Sequence, residues 1–405
     1  MAAVDAAEMV IVRGEGVHVW DDQGRRYLDG ASSLWYANVG HGRTEISDAI
    51  RAQLAQLESF HTFGDFANRP ARELAERLSA LAPQEGSKVF LTSGGGDAIE
   101  TAMKLARLVH RLRGEPERQH LISRAGGYHG THGIGTSILG MPYKDEFGPL
   151  VERTSQVAWD DPAALEAEIA KLGPDTVAAF VYEPVIGSGG VLVPPPDYLR
   201  DVERICREHG VLTVADIVIG GFGRLGTWLA VERFDLTPDL IVFAKGVTSG
   251  YLPLGGVIAA PSIAEPFWSA DGSGSTFAHG TTYAGHPTCC AAAIANLDLL
   301  GADGRVSRAR YLESGFHERL GQLCGHDRVH EVRGGVGLMA AVALDPDLLA
   351  RDPDVTQKLW SRARKAGLLT RWLRDGVALA PPLTIEDEHV DFAIDALESA
   401  LDGLG

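Results

Sequence analysis

Short apolar runs bounded by turn residues recur along the chain at 89–92, 121–123, 177–182, 212–215, 241–244 and 257–260. Their length and lack of alternation predict strands buried on both faces of a sheet. Stretches with helical spacing predict helices over 45–59, 70–81, 97–112, 163–171 and 196–209 between them. Strands and helices in alternation predict an α/β fold with a mainly parallel sheet covered on both sides. The segment 13–40 differs, because Gly16-Val17-His18-Val19-Trp20 alternates and Asp21-Asp22-Gln23-Gly24 turns into Tyr27-Leu28-Asp29, a pattern of small strands and turns. Beyond about 300 a second pattern predicts a helix near 304–324, an apolar strand VGLMAAVAL, a helix near 355–366 and a final helix after Pro381-Pro382-Leu383. The Gly- then Pro-rich stretch 183–198 lies between a strand and a helix, so it reads as an active-site loop rather than a linker.

Composition narrows the function classes. The chain has 405 residues, 45% hydrophobic and 22% charged, which is ordinary for a globular protein. Acidic residues outnumber basic ones 54 to 37, giving a net charge of −17. That balance argues against a general affinity for nucleic acid or an anionic membrane. Cys206, Cys289, Cys290 and Cys324 show no metal-ligand spacing and are expected to be reduced thiols. The opening MAAVDAAEMV lacks the basic and apolar parts of a signal peptide, and no run is long enough to span a membrane, so a cytoplasmic location is expected.

The chemistry gathers at the ends of the predicted strands. The runs 211–215 and 240–244 end in Asp216 and Lys245, at the carboxyl edge where open α/β sheets bind ligands. Burial disfavours both charges, so each needs a partner or a chemical task. Pyridoxal phosphate (PLP) would supply both, since the amine can form a Schiff base and the carboxylate can hold a protonated pyridine nitrogen. Ser93-Gly94-Gly95-Gly96-Asp97 follows one strand and opens a helix; it reads either as a phosphate cradle or as a plain tight turn. Tyr128, in Gly126-Gly127-Tyr128-His129-Gly130, could stack on a flat cofactor or be a core aromatic. Glu183 could pair with an arginine or a substrate amine, or be merely solvated. Thr282 could offer a hydroxyl to phosphate or cap a turn.

Taken in order, LTSGGGDAIETAMKLAR, GGYHG, YEPVIGSGGV, ADIVIGGFGRLG, FAKGVTSGYLPLGG and HGTTYAGHP resemble the class III, fold-type-I PLP-dependent aminotransferases over nearly the whole chain. The resemblance implies a large cofactor-binding domain at 45–295 and a smaller α+β domain built from 1–44 and 296–405. It implies that Lys245 holds the cofactor and carries a proton in the reaction, and that Asp216 pairs with the pyridine nitrogen. Val218 and Tyr128 would cover the two ring faces, and the amides of Gly95 and Gly96 would bind the phosphate. Thr282 would reach that phosphate from a second subunit, which implies a homodimer with shared active sites.

Within the class, Ser33-Leu34-Trp35-Tyr36 and Arg371-Trp372 are similar to the amine:pyruvate (omega) transaminases. There Trp35 would wall a substrate pocket, Arg371 would grip the carboxylate of a 2-oxo acid, and Glu183 would lie on the substrate side. Gly96 stands where relatives usually have serine, Ile217 where they have glutamate, and Thr281 where they have an aromatic residue. The implied reaction moves an amino group between a primary amine or amino acid and a 2-oxo acid, ketone or aldehyde in two half-reactions. A racemase, aminomutase or decarboxylase on the same fold is the alternative.

Overall fold

The computed structural model describes residues 8–268 and 274–404. Three strands open the chain: β1 (Ile11–Glu15), β2 (His18–Asp21) and β3 (Arg26–Asp29). The long α/β part follows. It contains β4 (Lys88–Thr92), β5 (His120–Arg124), β6 (Thr154–Val157), β7 (Val177–Tyr182), β8 (Leu212–Asp216), β9 (Leu240–Phe243) and β10 (Gly255–Ala259). Its helices are α1 (Thr44–Gln56), α2 (Arg69–Leu81), α3 (Gly95–Leu112), α4 (Gly133–Ser137), α5 (Pro162–Leu172), α6 (Tyr198–Glu208) and α7 (Pro287–Gly301).

Those seven strands form one sheet in the order β4-β10-β9-β8-β7-β5-β6. All neighbours from β9 through β6 are parallel, and β10 runs antiparallel to both β4 and β9. Every residue of β7, β8, β9 and β10 is buried, as the unbroken apolar runs predict. Successive side chains alternate between the two faces. Val181, Val214, Val242 and Val257 pack with Ala98, Ala102, Ala106 and Val109 of α3. Phe180, Ala215, Ile241, Phe243 and Ile258 face the other core, which includes Leu199, Val202, Ile205 and Cys206 of α6. Burying one such Val, Leu, Ile or Phe side chain contributes roughly 1.5–3 kcal/mol, so these two layers fix the sheet.

After α7 come α8 (Arg305–Gly321), β11 (Val329–Arg333), β12 (Ala340–Leu344), α9 (Val355–Lys365), β13 (Leu368–Leu369), β14 (Arg371–Trp372), β15 (Gly376–Leu379) and α10 (Asp387–Asp402). β11-β12-β15-β14 form a second sheet, and β13 joins the opening strands by pairing in parallel with β3. The two ends of the sequence are therefore laced together, with the Ala380 amide also donating to Gly30 O at 2.7 Å. Among the described residues, no helix is long and apolar enough to cross a membrane.

Candidate active site

β8 and β9 are neighbours, and Asp216 sits opposite Val242 in their register. The chain leaves β9 through Ala244, and Lys245 starts the short turn that follows. Lys245 has a left-handed backbone (φ 47°), a conformation that β-carbon-bearing residues hold only when their surroundings enforce it. Here the enforcement is visible. Asn296 of α7 donates to Gly246 O and Val247 O, both at 2.9 Å, and accepts from Ser249 Oγ at 2.7 Å. Burial lowers the Lys245 ammonium from an ordinary 10.5 to about 8; Asp216 and Glu183 oppose that fall, and the Arg371 guanidinium adds to it. A large part of such an amine is neutral near pH 8, which a nucleophile or base requires.

Asp216 is 4% exposed and held at both oxygens. Its Oδ2 lies 2.8 Å from His129 Nδ1, and its Oδ1 accepts from the Val218 amide at 3.0 Å. His129 is fully buried, and its Nε2 has no hydrogen-bond partner among the described residues. The imidazole is thus a strut that fixes the carboxylate's orientation.

Glu183 follows β7 and is also buried. Its carboxylate accepts from the Tyr128 amide at 3.0 Å and the Gly187 amide at 2.9 Å. Burial pushes its pKa up, and the nearby Asp216 charge adds to the rise. Arg124, buried in the strand end, donates to Glu183 O at 2.7 Å and to Trp159 O, and lies 4.7 Å from the Tyr198 ring centre. The 124–130 loop and the 183–187 loop are therefore locked to each other, with half-buried Tyr128 at their junction.

Gly94 leaves β4 in extended conformation, and Gly95 and Gly96 begin α3. The first amides of a helix have no intrahelical acceptor, so this turn offers N–H groups to an anion. A β-carbon at Gly94 would meet nothing within 4 Å, whereas one at Gly95 would touch both Val218 methyls at 3.2 Å. The turn is open in front and backed by the residue that Asp216 anchors. Beneath it, a β-carbon on Gly255 would stand 2.6 Å from Gly94 O, so only glycine lets β10 pass there.

Of the residues singled out in the sequence, the structure gathers Lys245, Asp216, Glu183, Tyr128, Val218, Gly95 and Gly96 into one place, with Arg371 of β14 near enough to act on the amine. Two stand apart. Trp35 is 1% exposed, with its indole N–H unmatched by an acceptor among the described residues; in this chain by itself it packs in the interior rather than along an open cleft. Thr282 is exposed and, with Ser59, Phe60, His61 and Tyr283, lines an outward cavity of about 290 Å³. It is the neighbouring Thr281 whose hydroxyl comes within 3.4 Å of Ser93 at the chain's own cradle. His129 and Asn296 are structural partners that the sequence reading did not assign. His129 had a signal, its place inside GGYHG; Asn296, in an Ala-rich helix, had none.

The family model described as "Aminotransferase class-III" matches residues 1–401. Beta-alanine–pyruvate aminotransferase of Pseudomonas aeruginosa is 36% identical, over 98% of this chain and 92% of its own length. Putrescine–pyruvate aminotransferase of the same organism is 33% identical, over 97% and 90%. An (S)-enantioselective omega-transaminase from Thermomicrobium roseum superposes with a TM-score of 0.94 at 38% identity, covering 100% of this chain and 94% of that one. An amine transaminase from an uncultivated Pseudomonas species, solved with PLP bound, superposes at 0.91 with 38% identity, covering 98% and 95%.

Proposed function

The chain belongs to the class-III aminotransferases, which depend on PLP, and from that premise we propose that it moves an amino group from a primary amine to a 2-oxo acid, with Lys245 holding the cofactor. When bound, PLP supplies an aldehyde that condenses with primary amines and a ring that takes up electrons released at the substrate carbon. The residues present suit it: an open amide cradle for a phosphate, a fixed carboxylate for a ring nitrogen and a partly deprotonated lysine for the aldehyde. The observation that carries the reading is the Lys245 amine, brought to about 8 by burial in a strained turn that faces Asp216, Glu183 and Arg371.

Each residue then has a task. The Lys245 amine would hold the cofactor through its aldehyde and, once released, would serve as the base that carries the substrate's Cα proton. Asp216, kept aimed by His129, would accept a charge-assisted hydrogen bond from the cofactor's ring nitrogen. Val218 and Tyr128 would cover the cofactor's ring, while the amides of Gly95 and Gly96 would hold its phosphate. Arg371 receives the carboxylate of the 2-oxo acid through a two-pronged contact. Glu183 stands beside it on the substrate side; Trp35, packed in the interior of this chain, is given no contact with the substrate. Thr282 of a second copy would reach the phosphate, in a homodimer with shared sites. The same reading puts it in the cytoplasm and divides the chain into 45–295, with the cofactor, and a smaller unit of 1–44 with 296–405.

Two relatives are named for putrescine and β-alanine as donors and pyruvate as acceptor. That supports a donor whose amino group sits on a terminal carbon, with pyruvate as acceptor. The test is spectral: adding β-alanine or putrescine to the purified protein shifts its visible absorbance, and pyruvate restores it. Lys245→Ala abolishes both changes. A spectrum indifferent to every amine tried would defeat the proposal.

A further inference from the structure

The phosphate cradle has an unusual feature at its outer wall. Gly94, Gly95 and Gly96 contribute amides and no side chain. The space over Gly96 is filled instead by the imidazole of His132, whose Cε1, Nδ1 and Nε2 lie 3.1, 3.2 and 3.4 Å from the point a β-carbon would occupy. The ring reaches that place because its loop is docked on α3. Gly130 (φ 87°) approaches so closely that a β-carbon there would sit 3.0 Å from Gly96 Cα. Glu100, on the second turn of α3, accepts the amides of Ile134 at 2.5 Å and Gly135 at 3.2 Å. The Thr136 amide then closes α4 onto His132 O at 2.7 Å.

The side chain itself is lightly engaged. It is half exposed, and its one ionic neighbour among the described residues is Asp97 in the first turn of α3, with Nδ1 to Oδ1 at 3.5 Å. A core-filling role would bury the ring; here it stands at the mouth of a turn built to receive an anion. Two acceptors flank the imidazole once that anion is present, Asp97 on one nitrogen and a phosphate oxygen on the other. The ring nitrogen turned away from Asp97 can then donate an N–H to that oxygen.

We infer that His132 is a ligand of the cofactor's phosphate, supplying over Gly96 a side-chain donor that the glycine itself lacks, with Asp97 orienting the ring. The inference rests on the assignment of Gly94–Gly96 as the phosphate cradle of a PLP enzyme. It extends that assignment by one residue and one kind of contact, a side-chain N–H directed at a phosphate monoester.

The experiment is equilibrium binding, read by absorbance on cofactor-free protein, for wild type, His132→Asn and His132→Ala. Three probes are used: PLP, pyridoxal without its phosphate, and inorganic phosphate as a competitor of PLP. The variants are expected to bind PLP about tenfold more weakly and to be inhibited by phosphate about tenfold less well, the size of one charge-assisted hydrogen bond. Pyridoxal affinity should stay within about twofold, since it carries no group for His132 to hold. Unchanged PLP affinity in both variants would overturn the inference. An equal loss for PLP and pyridoxal would also overturn it, because it would mean that the ring only supports the loop. A wild-type protein that took up neither compound would instead defeat the aminotransferase reading, and this inference with it.

Discussion

Lys245 should destabilise the cofactor-free protein, and the penalty can be worked out. Burial lowers its amine from 10.5 to about 8, which at roughly 1.4 kcal/mol per pH unit amounts to about 3 kcal/mol. The folded chain loses this proton before the unfolded chain does. Below pH 8 both states hold it and the full penalty stands. Between about 8 and 10.5 the unfolded state binds more protons, so stability rises with pH through that window. Lys245→Met keeps an apolar stem in the same turn and removes the ammonium. The cofactor-free variant should exceed wild type in urea unfolding by roughly 1–3 kcal/mol at pH 7, allowing for relaxation around the charge. The difference should shrink towards zero by about pH 10.5. A variant no more stable than wild type at pH 7, or a difference insensitive to pH, would refute the claim that this amine is held against its solvation.

Three further outcomes follow from the same geometry. His129→Phe removes the 2.8 Å contact to Asp216 Oδ2; turnover should fall about 10- to 100-fold while the far-ultraviolet circular dichroism stays native, and unchanged turnover would show that the strut is idle. Arg371→Ala should raise the KM for a 2-oxo acid about tenfold or more and leave the amine half-reaction, measured by stopped-flow absorbance, nearly intact. Gly255→Ala forces a methyl group to within 2.6 Å of Gly94 O; the overlap should lower the thermal midpoint by several degrees, an effect on the order of 1–3 kcal/mol, and weaken cofactor retention.

How far the sequence could be read depended on whether the signal was local. VAAFVY and LIVF announce strands because they are buried on both faces, and the structure has them where the pattern puts them. Thr154–Val157 went unseen since TSQV is mostly polar, and β6 is an edge strand with one partner. β13 consists of two residues, held in place by β3 more than 300 positions earlier; no window along the chain contains that information. The ligand end of the sheet was legible because Asp216 and Lys245 both terminate apolar runs. The His129–Asp216 contact spans 87 positions, and the Asn296 clamp joins an Ala-rich helix to the lysine turn. Neither can be read from periodicity. His132 was overlooked for a different reason: its place depends on the absence of a side chain at Gly96, a steric fact visible only in three dimensions.

One nitrogen, Lys245 Nζ, is proposed to carry the cofactor. Borohydride reduction of the holoenzyme followed by peptide mass mapping tests it most directly. The expected product is a stable pyridoxyl phosphate mass on the peptide that spans Lys245 and on no other. A label on a different lysine, or an unmodified Lys245 in protein that retains its cofactor, would contradict it.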